Sequence, residues 1–540
     1  MIERVLREID GCRYKAYRRL VGVKQVVDGV VVEVVRVQGD PYAPPSVVRL
    51  SARVSVPREF LENSVAFADW VYRRLFRELR RVSRRVGEGW SGFVGIPRPS
   101  PVMIRRSGAE VVGSEVVARV WVGLPSRRRR VLGDEAERIL LRDLPRAFAR
   151  AIDWRSDLAS LERHVRAWVE QEFIRSRLLD MGLVAFVGDG SVLPRKHGFS
   201  DEPKEGAIPF ESPPSLRVEI ELPTGRVVSG MGIPKGFTVV MGPAFHGKTT
   251  LIRAIAEGVY NHVPGDGREL VVSIRDAAYV ATEEGRFVTC VDASPFILDA
   301  STVGNPKCFT TRSASGATSV VASIQEAVEV GAKLLILDED EVATNALYED
   351  PLASSLWRSR SLAPLATLAK SMIGTGVSIL VASAGSSQLL KACTTAILMD
   401  RYRPVDATSR AKELTQGIEL INRVYEPPRH RVLTSVPALG RVRARGLSIE
   451  VSELGISIDL SRNPQIVEEG QVATIAEAIK QLRKYVGKKL VDTCREIEAT
   501  IREKGFKQFL GREPGPNLSE VRALDIAYAI NRLPIGIEAT

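Results

Sequence analysis

The sequence predicts an α/β protein built around a phosphate-binding core, and three observations carry that expectation. From Leu216 to about Ala407, short apolar strands alternate with helical segments, the pattern of a mostly parallel sheet. One strand, Phe237–Met241, runs directly into Gly242-Pro-Ala-Phe-His-Gly-Lys-Thr249. Another apolar run, Lys333–Leu337, ends in Asp338-Glu339-Asp340.

The chain has 540 residues, 44% hydrophobic and 26% charged. That is too long for one domain and too apolar for wholesale disorder. We divide it into a basic N-terminal domain (1–200), a nucleotide-binding domain (201–445) and a C-terminal domain (446–540). No run approaches the ~18 apolar residues of a membrane helix, and the N-terminus lacks the apolar centre of a signal peptide. The five cysteines are scattered, with no CxxC spacing, so neither a disulfide scaffold nor a zinc site is expected. The expected setting is the cytoplasm, with no membrane partner.

In the first domain the valine-rich stretch Val26–Val37 reads as a strand, as does Val116–Val122. In Trp70–Arg85 the residues Val71, Leu75, Phe76, Leu79 and Val82 recur at helical spacing, with Arg73, Arg77, Arg80 and Arg84 on another face. Residues 1–150 hold 30 Lys and Arg against 17 Asp and Glu, an excess of 13; the other 390 residues hold 46 against 48. A basic surplus confined to one segment points to a polyanion-binding face. The candidates are the Arg73, Arg77, Arg80 and Arg84 face and the run Arg127, Arg128, Arg129 and Arg130. Solvated surface is the alternative for both. Tyr14, Tyr17, Trp70 and Tyr72 lie among the arginines as base-stacking residues would, or as core aromatics.

The middle domain carries the chemistry. Gly242, Pro243, Ala244, Phe245, His246, Gly247, Lys248 and Thr249 form a complete GxxxxGK[ST] loop between a strand and a helix beginning at Thr250. Such a loop wraps phosphates in backbone N–H groups, brings Lys248 to the β- and γ-phosphates, and offers the Thr249 hydroxyl to Mg²⁺. Asp338, ending its strand 90 residues after Lys248, is the second Mg²⁺ ligand expected, and Glu339 the group that polarises an attacking water. His246 is expected to be structural or to face the substrate rather than to be catalytic. Ser315, Gly316 and Ala317 open a further helix, an anion-binding arrangement or simply a capped helix.

These motifs resemble the ATPases of the ABC class, a soluble group that includes a kinetoplastid mitochondrial RNA-editing-associated ATPase. The resemblance covers nearly the whole chain. It rests on Gln38-Gly-Asp-Pro-Tyr-Ala-Pro-Pro-Ser46, Val122-Gly-Leu-Pro125, Gly230-Met-Gly-Ile-Pro234, His246-Gly-Lys-Thr249, Ser315-Gly316, Asp338-Glu-Asp340 with Ala343-Thr-Asn345, and Asp525-Ile-Ala-Tyr-Ala-Ile-Asn531-Arg532. It implies an ABC-type P-loop core between an α+β N-terminal domain and a small, mainly helical C-terminal domain. It further implies ATP and Mg²⁺ as cofactors, an ATP-dependent homodimer in which Ser315 and Gly316 meet the γ-phosphate held by the partner subunit, and RNA or the ribosome as a partner.

The sequence departs from the pattern in places. Gly-Pro-Ala-Phe replaces a more glycine-rich stretch before His246, and Gln388 stands where the family tends to have Asp. No glutamine occurs between Thr250 and Ser315, which weighs against a transporter subunit. No histidine occurs between Glu339 and His430, leaving Ser386 as the nearest stand-in for a switch residue. An enzyme that remodels RNA and an ATP-gated clamp with slow hydrolysis both fit these features.

Overall fold

The computed structural model describes residues 1–198, 200–350, 355–356 and 360–539. They form two compact units. The first joins Met1–Val169 to Ala499–Glu520, and the second holds Glu170–Glu498 and the chain from Val521 onward. These units do not coincide with the three sequence segments. Residues 499–520 lie with the N-terminal unit because Glu513 accepts from Arg119 Nε at 2.7 Å and Ser107 Oγ accepts from the Leu518 amide at 2.9 Å.

In the first unit the valine-rich stretch is a hairpin, not one strand. β1 (Lys24–Val27) and β2 (Val30–Arg36) pair antiparallel across Asp28 and Gly29, at φ 48° and 78°. Asp-Gly is the residue pair such a turn favours, a signal the composition of the run concealed. Next come β3 (Ser46–Arg53), α1 (Ser64–Val82), β4 (Val94–Gly95), β5 (Ala109–Val112) and β6 (Glu115–Val122). The sheet order is β1-β2-β3-β6-β4, with β5 also paired to β6. Val32, Val34, Val48, Leu50, Val120 and Val122 are buried from the sheet, and Phe67, Val71, Leu75 and Leu79 from one stripe of α1. A two-residue pair, β7 (Ser126–Arg127) with β8 (Arg130–Val131), closes the tight turn of the arginine run.

The second unit is the expected α/β core. Its strands are β9 (Leu183–Gly188), β10 (Arg217–Glu221), β11 (Val227–Pro234), β12 (Phe237–Met241), β13 (Val271–Ser273) and β14 (Ala277–Val280). There follow β15 (Val288–Val291), β16 (Phe309–Thr311), β17 (Leu334–Asp338), β18 (Ser378–Ser383), β19 (Thr395–Asp400) and β20 (Arg403–Asp406). The main sheet runs β14-β17-β18-β12-β19-β20, parallel except for the edge strand β20. Helices α2 (Lys248–Glu257) and α3 (Gly316–Val330) follow two of its crossovers. A second sheet, β10-β11-β9-β13, is antiparallel. Val239, Leu335, Leu337, Ile379 and Val381 bury one face of the main sheet with Val320, Val321 and Ile324 of α3. Toward the C-terminus the helices are joined by a three-stranded meander over 442–459.

One expectation fails here. Cys290 and Cys308 form a disulfide, their Cα atoms 3.9 Å apart. The antiparallel register of β15 and β16 brings them together; sequence spacing alone gave no sign of it. Among the described residues no helix is long and apolar enough to cross a membrane.

Candidate functional site

The parallel sheet puts the C-terminal ends of β17, β18, β12 and β19 side by side, where α/β sheets bind ligands. Central β12 delivers the loop 242–247. Gly242 adopts φ 142° and Gly247 φ 96°, and a Cβ on Gly242 would stand 2.5 Å from the Met399 carbonyl oxygen. No other residue fits that approach. Lys248 is buried, its Nζ donating to the carbonyls of Gly242 and Pro243 at 2.8 and 3.0 Å. His246 Nδ1 accepts from the Arg401 amide at 3.0 Å, which ties the phosphate loop to the turn after β19. Thr249 and Thr250 lie in the first turn of α2.

Asp338 ends β17 fully enclosed. Burial pushes its carboxyl above the ordinary range, opposed by a hydrogen bond from the Thr249 hydroxyl. Its Oδ1 accepts from the Asp340 amide at 3.3 Å, while Oδ2 is buried without a hydrogen-bond partner. An unpaired buried carboxylate oxygen beside a threonine hydroxyl is a hard-oxygen pair suited to Mg²⁺. No cluster of three or more His, Cys, Asp or Glu able to hold a metal occurs among the described residues.

Glu339 is gripped from three sides. Oε1 accepts from the Tyr348 hydroxyl at 2.5 Å, and Oε2 from Ser383 Oγ at 2.6 Å and the Ala384 amide at 2.8 Å. Burial, then the neighbouring Glu339, pushes the Tyr348 phenol up to about 12, so it stays a donor at neutral pH. Sequence reasoning missed Tyr348, Ser383 and Ala384. Ser386, the stand-in switch residue of the sequence reading, caps the helix Ser387–Ala392, its Oγ accepting from the Leu389 amide. Ser383, the last residue of β18, is the serine that reaches Glu339.

Ser315 caps α3. Its Oγ accepts from the Thr318 amide at 3.4 Å and lies 2.9 Å from Thr318 Oγ1. Ser315 is exposed and Gly316 and Ala317 half-buried at the open end of a 15-residue helix.

Family models agree with this geometry. A P-loop domain model of the ABC ATPases matches residues 157–433, just over half of the chain. The N-terminal model of the ATPases of the ABC class matches 1–153, and an MRB1590 C-terminal domain model matches 441–535. The chain belongs to the ATPases of the ABC class. An uncharacterized protein of Methanocaldococcus jannaschii is 33% identical over 225 residues, 40% of this chain and half the length of that relative. Among solved structures, a Clostridium perfringens component of the ABC transporter complex cbiONQ is 15% identical over 44% of this chain and 92% of its own. An ATP-binding cassette of an ABC transporter in its ADP conformation is 10% identical over 44% and 97%. Both have a TM-score of 0.27, which adds nothing to the family match.

In this ABC-class chain the arginines divide sharply. Arg73 does not belong to a surface face: its Nε donates to buried Asp69 at 2.7 Å, and the guanidinium also bonds the carbonyls of Ser100 and Val102. Arg106 and His164 complete the cluster. Burial alone would raise the Asp69 carboxyl, but Arg73, Arg106 and His164 together hold it well below the usual range. Arg84 lies beyond the end of α1 and pairs with Glu135 at 3.0 Å. Arg77 and Arg80 remain exposed on the helix. Tyr14, Tyr17, Trp70 and Tyr72 are all buried, which excludes base stacking by them. Arg127, Arg128, Arg129 and Arg130 are all exposed. Arg130 donates to the Gly11 carbonyl at 2.8 Å; the side chains of the other three have no partner among the described residues.

Proposed function

We propose that this chain hydrolyses ATP with Mg²⁺ at a site completed by a second copy, and that its nucleotide state controls its hold on RNA. The arrangement of Glu339 carries the hydrolytic part. A carboxylate has about four acceptor sites. Tyr348, Ser383 and Ala384 occupy three, leaving one directed acceptor for the proton of an attacking water. Lys248 binds the β- and γ-phosphates in exchange for two loop carbonyls, and Thr249 and Asp338 hold Mg²⁺, which neutralises phosphate charge.

The dimer reading rests on the exposed Ser315–Gly316 helix start, which presents backbone N–H groups without a phosphate of its own. The RNA reading rests on charge. The first unit holds 37 Lys and Arg against 23 Asp and Glu, and the side chains of three arginines of its tight turn have no partner among the described residues.

Phosphate release and light scattering with and without ATP test the reading together. Wild-type chain should release phosphate and form a two-copy species with ATP, and Lys248→Ala should do neither. A wild-type chain that releases no phosphate, or stays monomeric with ATP, overturns the shared site. RNA affinity that is equal with ATP, with ADP and without nucleotide overturns the coupling.

A further inference from the structure

We propose that the outer edge of β5 receives an extended, acidic segment of a partner protein as a further strand of the sheet. Among the described residues β5 pairs with β6 alone and ends the sheet on that side. Glu110 stands opposite Val117 and Val112 opposite Glu115, and the Gly108 carbonyl accepts from the Arg119 amide at 3.1 Å. Bonded pairs alternate along an antiparallel ladder. Val111 therefore turns its N–H and C=O away from β6, and neither group has a partner among the described residues. Those two groups are what an incoming strand exchanges with an edge.

The space beside that edge has the form of a missing strand. A cleft of about 490 Å³ opens there, walled by the start of α1 and by the segment 501–507. Residues from both faces of β5 line it, Ala109 and Val111 from one and Glu110 and Val112 from the other. The cleft thus continues the sheet instead of lying over it. Its charge selects the occupant. Six Arg or Lys line it against four Glu, and Lys504 has no partner among the described residues. Arg119 is 4% exposed. Its Nε and Nη1 are taken by Glu513, Glu110 and the Ser107 carbonyl, and its Nη2 makes no hydrogen bond among the described residues. Open cations beside an open edge suit a strand that carries carboxylates. A phosphodiester backbone suits it poorly, because phosphate oxygens are acceptors and leave the Val111 carbonyl without a donor.

The test is fluorescence anisotropy on the full chain with labelled, end-capped octapeptides. One probe has four Val-Glu repeats and another four Val-Lys repeats. Two more are the Val-Glu peptide N-methylated on every valine or on every glutamate. The Val-Glu peptide should bind at least tenfold more tightly than the Val-Lys peptide. One of its N-methylated forms should lose about tenfold, the order of one or two backbone hydrogen bonds. Val111→Pro removes the open N–H at an edge position where proline is tolerated, and should weaken the Val-Glu peptide by a similar factor. The N-methylated pair decides the question from the ligand side even if that variant fails to fold. Lys504→Glu should narrow the preference for Val-Glu over Val-Lys. No binding of the Val-Glu peptide, equal binding of the two charge types, or N-methylated forms that both bind like the parent overturns the proposal. So does displacement of the Val-Glu peptide by oligouridylate whose own affinity falls with Lys504→Glu, since the cleft would then belong to RNA.

Discussion

Two hairpin turns in this chain place consecutive large side chains where the backbone favours Asn-Gly. Arg128 and Arg129 stand at φ 51° and 57° in the first unit, and Arg401 and Tyr402 at φ 46° and 71° in the second. A third turn, Asp28–Gly29, uses residues that fit. Each non-glycine residue there costs roughly 1–2 kcal/mol. The two strained turns differ in what the strain holds up. In the first, the cations of Arg128 and Arg129 are exposed, with no side-chain partner among the described residues; in the second, a ring is pressed against a phosphate loop. Strain kept at such positions points to the side chains as the reason for it, and the two sets of side chains stand in different surroundings.

The largest effect should come at the chemistry of the second unit. Asp338→Asn removes the unpaired buried carboxylate, and we expect Mg²⁺-dependent ATP turnover to fall by about 10²-fold or more. RNA binding measured without nucleotide should be unchanged. Loss of both would mean that the two regions are not separable.

Next in size is a stability effect that tells buried arginines from exposed ones. Asp69→Ala leaves Arg73 and Arg106 buried without their carboxylate, and should destabilise the first unit by about 3–5 kcal/mol in urea unfolding. Because the folded Asp69 carboxyl lies below its unfolded value, its stabilisation is present above pH ~4 and disappears as pH falls through the depressed folded value. The variant should therefore show a weaker loss of stability on acidification than the wild type.

Replacing Arg127, Arg128, Arg129 and Arg130 by Gln should do the opposite. Stability should hold within about 0.5 kcal/mol, while RNA affinity falls and its log–log salt slope flattens by about 3. The same measurement on Arg77→Gln with Arg80→Gln should show a smaller change. The smallest effect sharpens the comparison most. Arg128→Asn with Arg129→Gly should stabilise the first unit by about 1 kcal/mol, yet weaken RNA binding.

Much of the core was legible because it depends on local pattern. The apolar run Phe237–Met241, the glycine loop and the acidic end of β17 are adjacent in sequence and remain adjacent in space. Contacts set by strand order were not legible. Ser383 and Ala384 reach Glu339 only because β17 and β18 are neighbours, and Tyr348 reaches it from the end of the short helix Thr344–Leu347. Cys290 meets Cys308 only through the register of β15 and β16. Helical periodicity placed Arg73 with Arg77 and Arg80, but it cannot show that Arg106 and His164, from two other segments, join Arg73 around the buried Asp69. Two successive residues at positive φ also leave no trace when neither is glycine or asparagine.

The most direct test of the central claim is single-turnover hydrolysis by Glu339→Gln, with bound ATP measured in the same samples. Removing the one open acceptor on a carboxylate already held by Tyr348, Ser383 and Ala384 should slow phosphate release by about 10²-fold while ATP and Mg²⁺ stay bound. Phosphate release at the wild-type rate with ATP bound would contradict the account, because some other group would then be taking the proton.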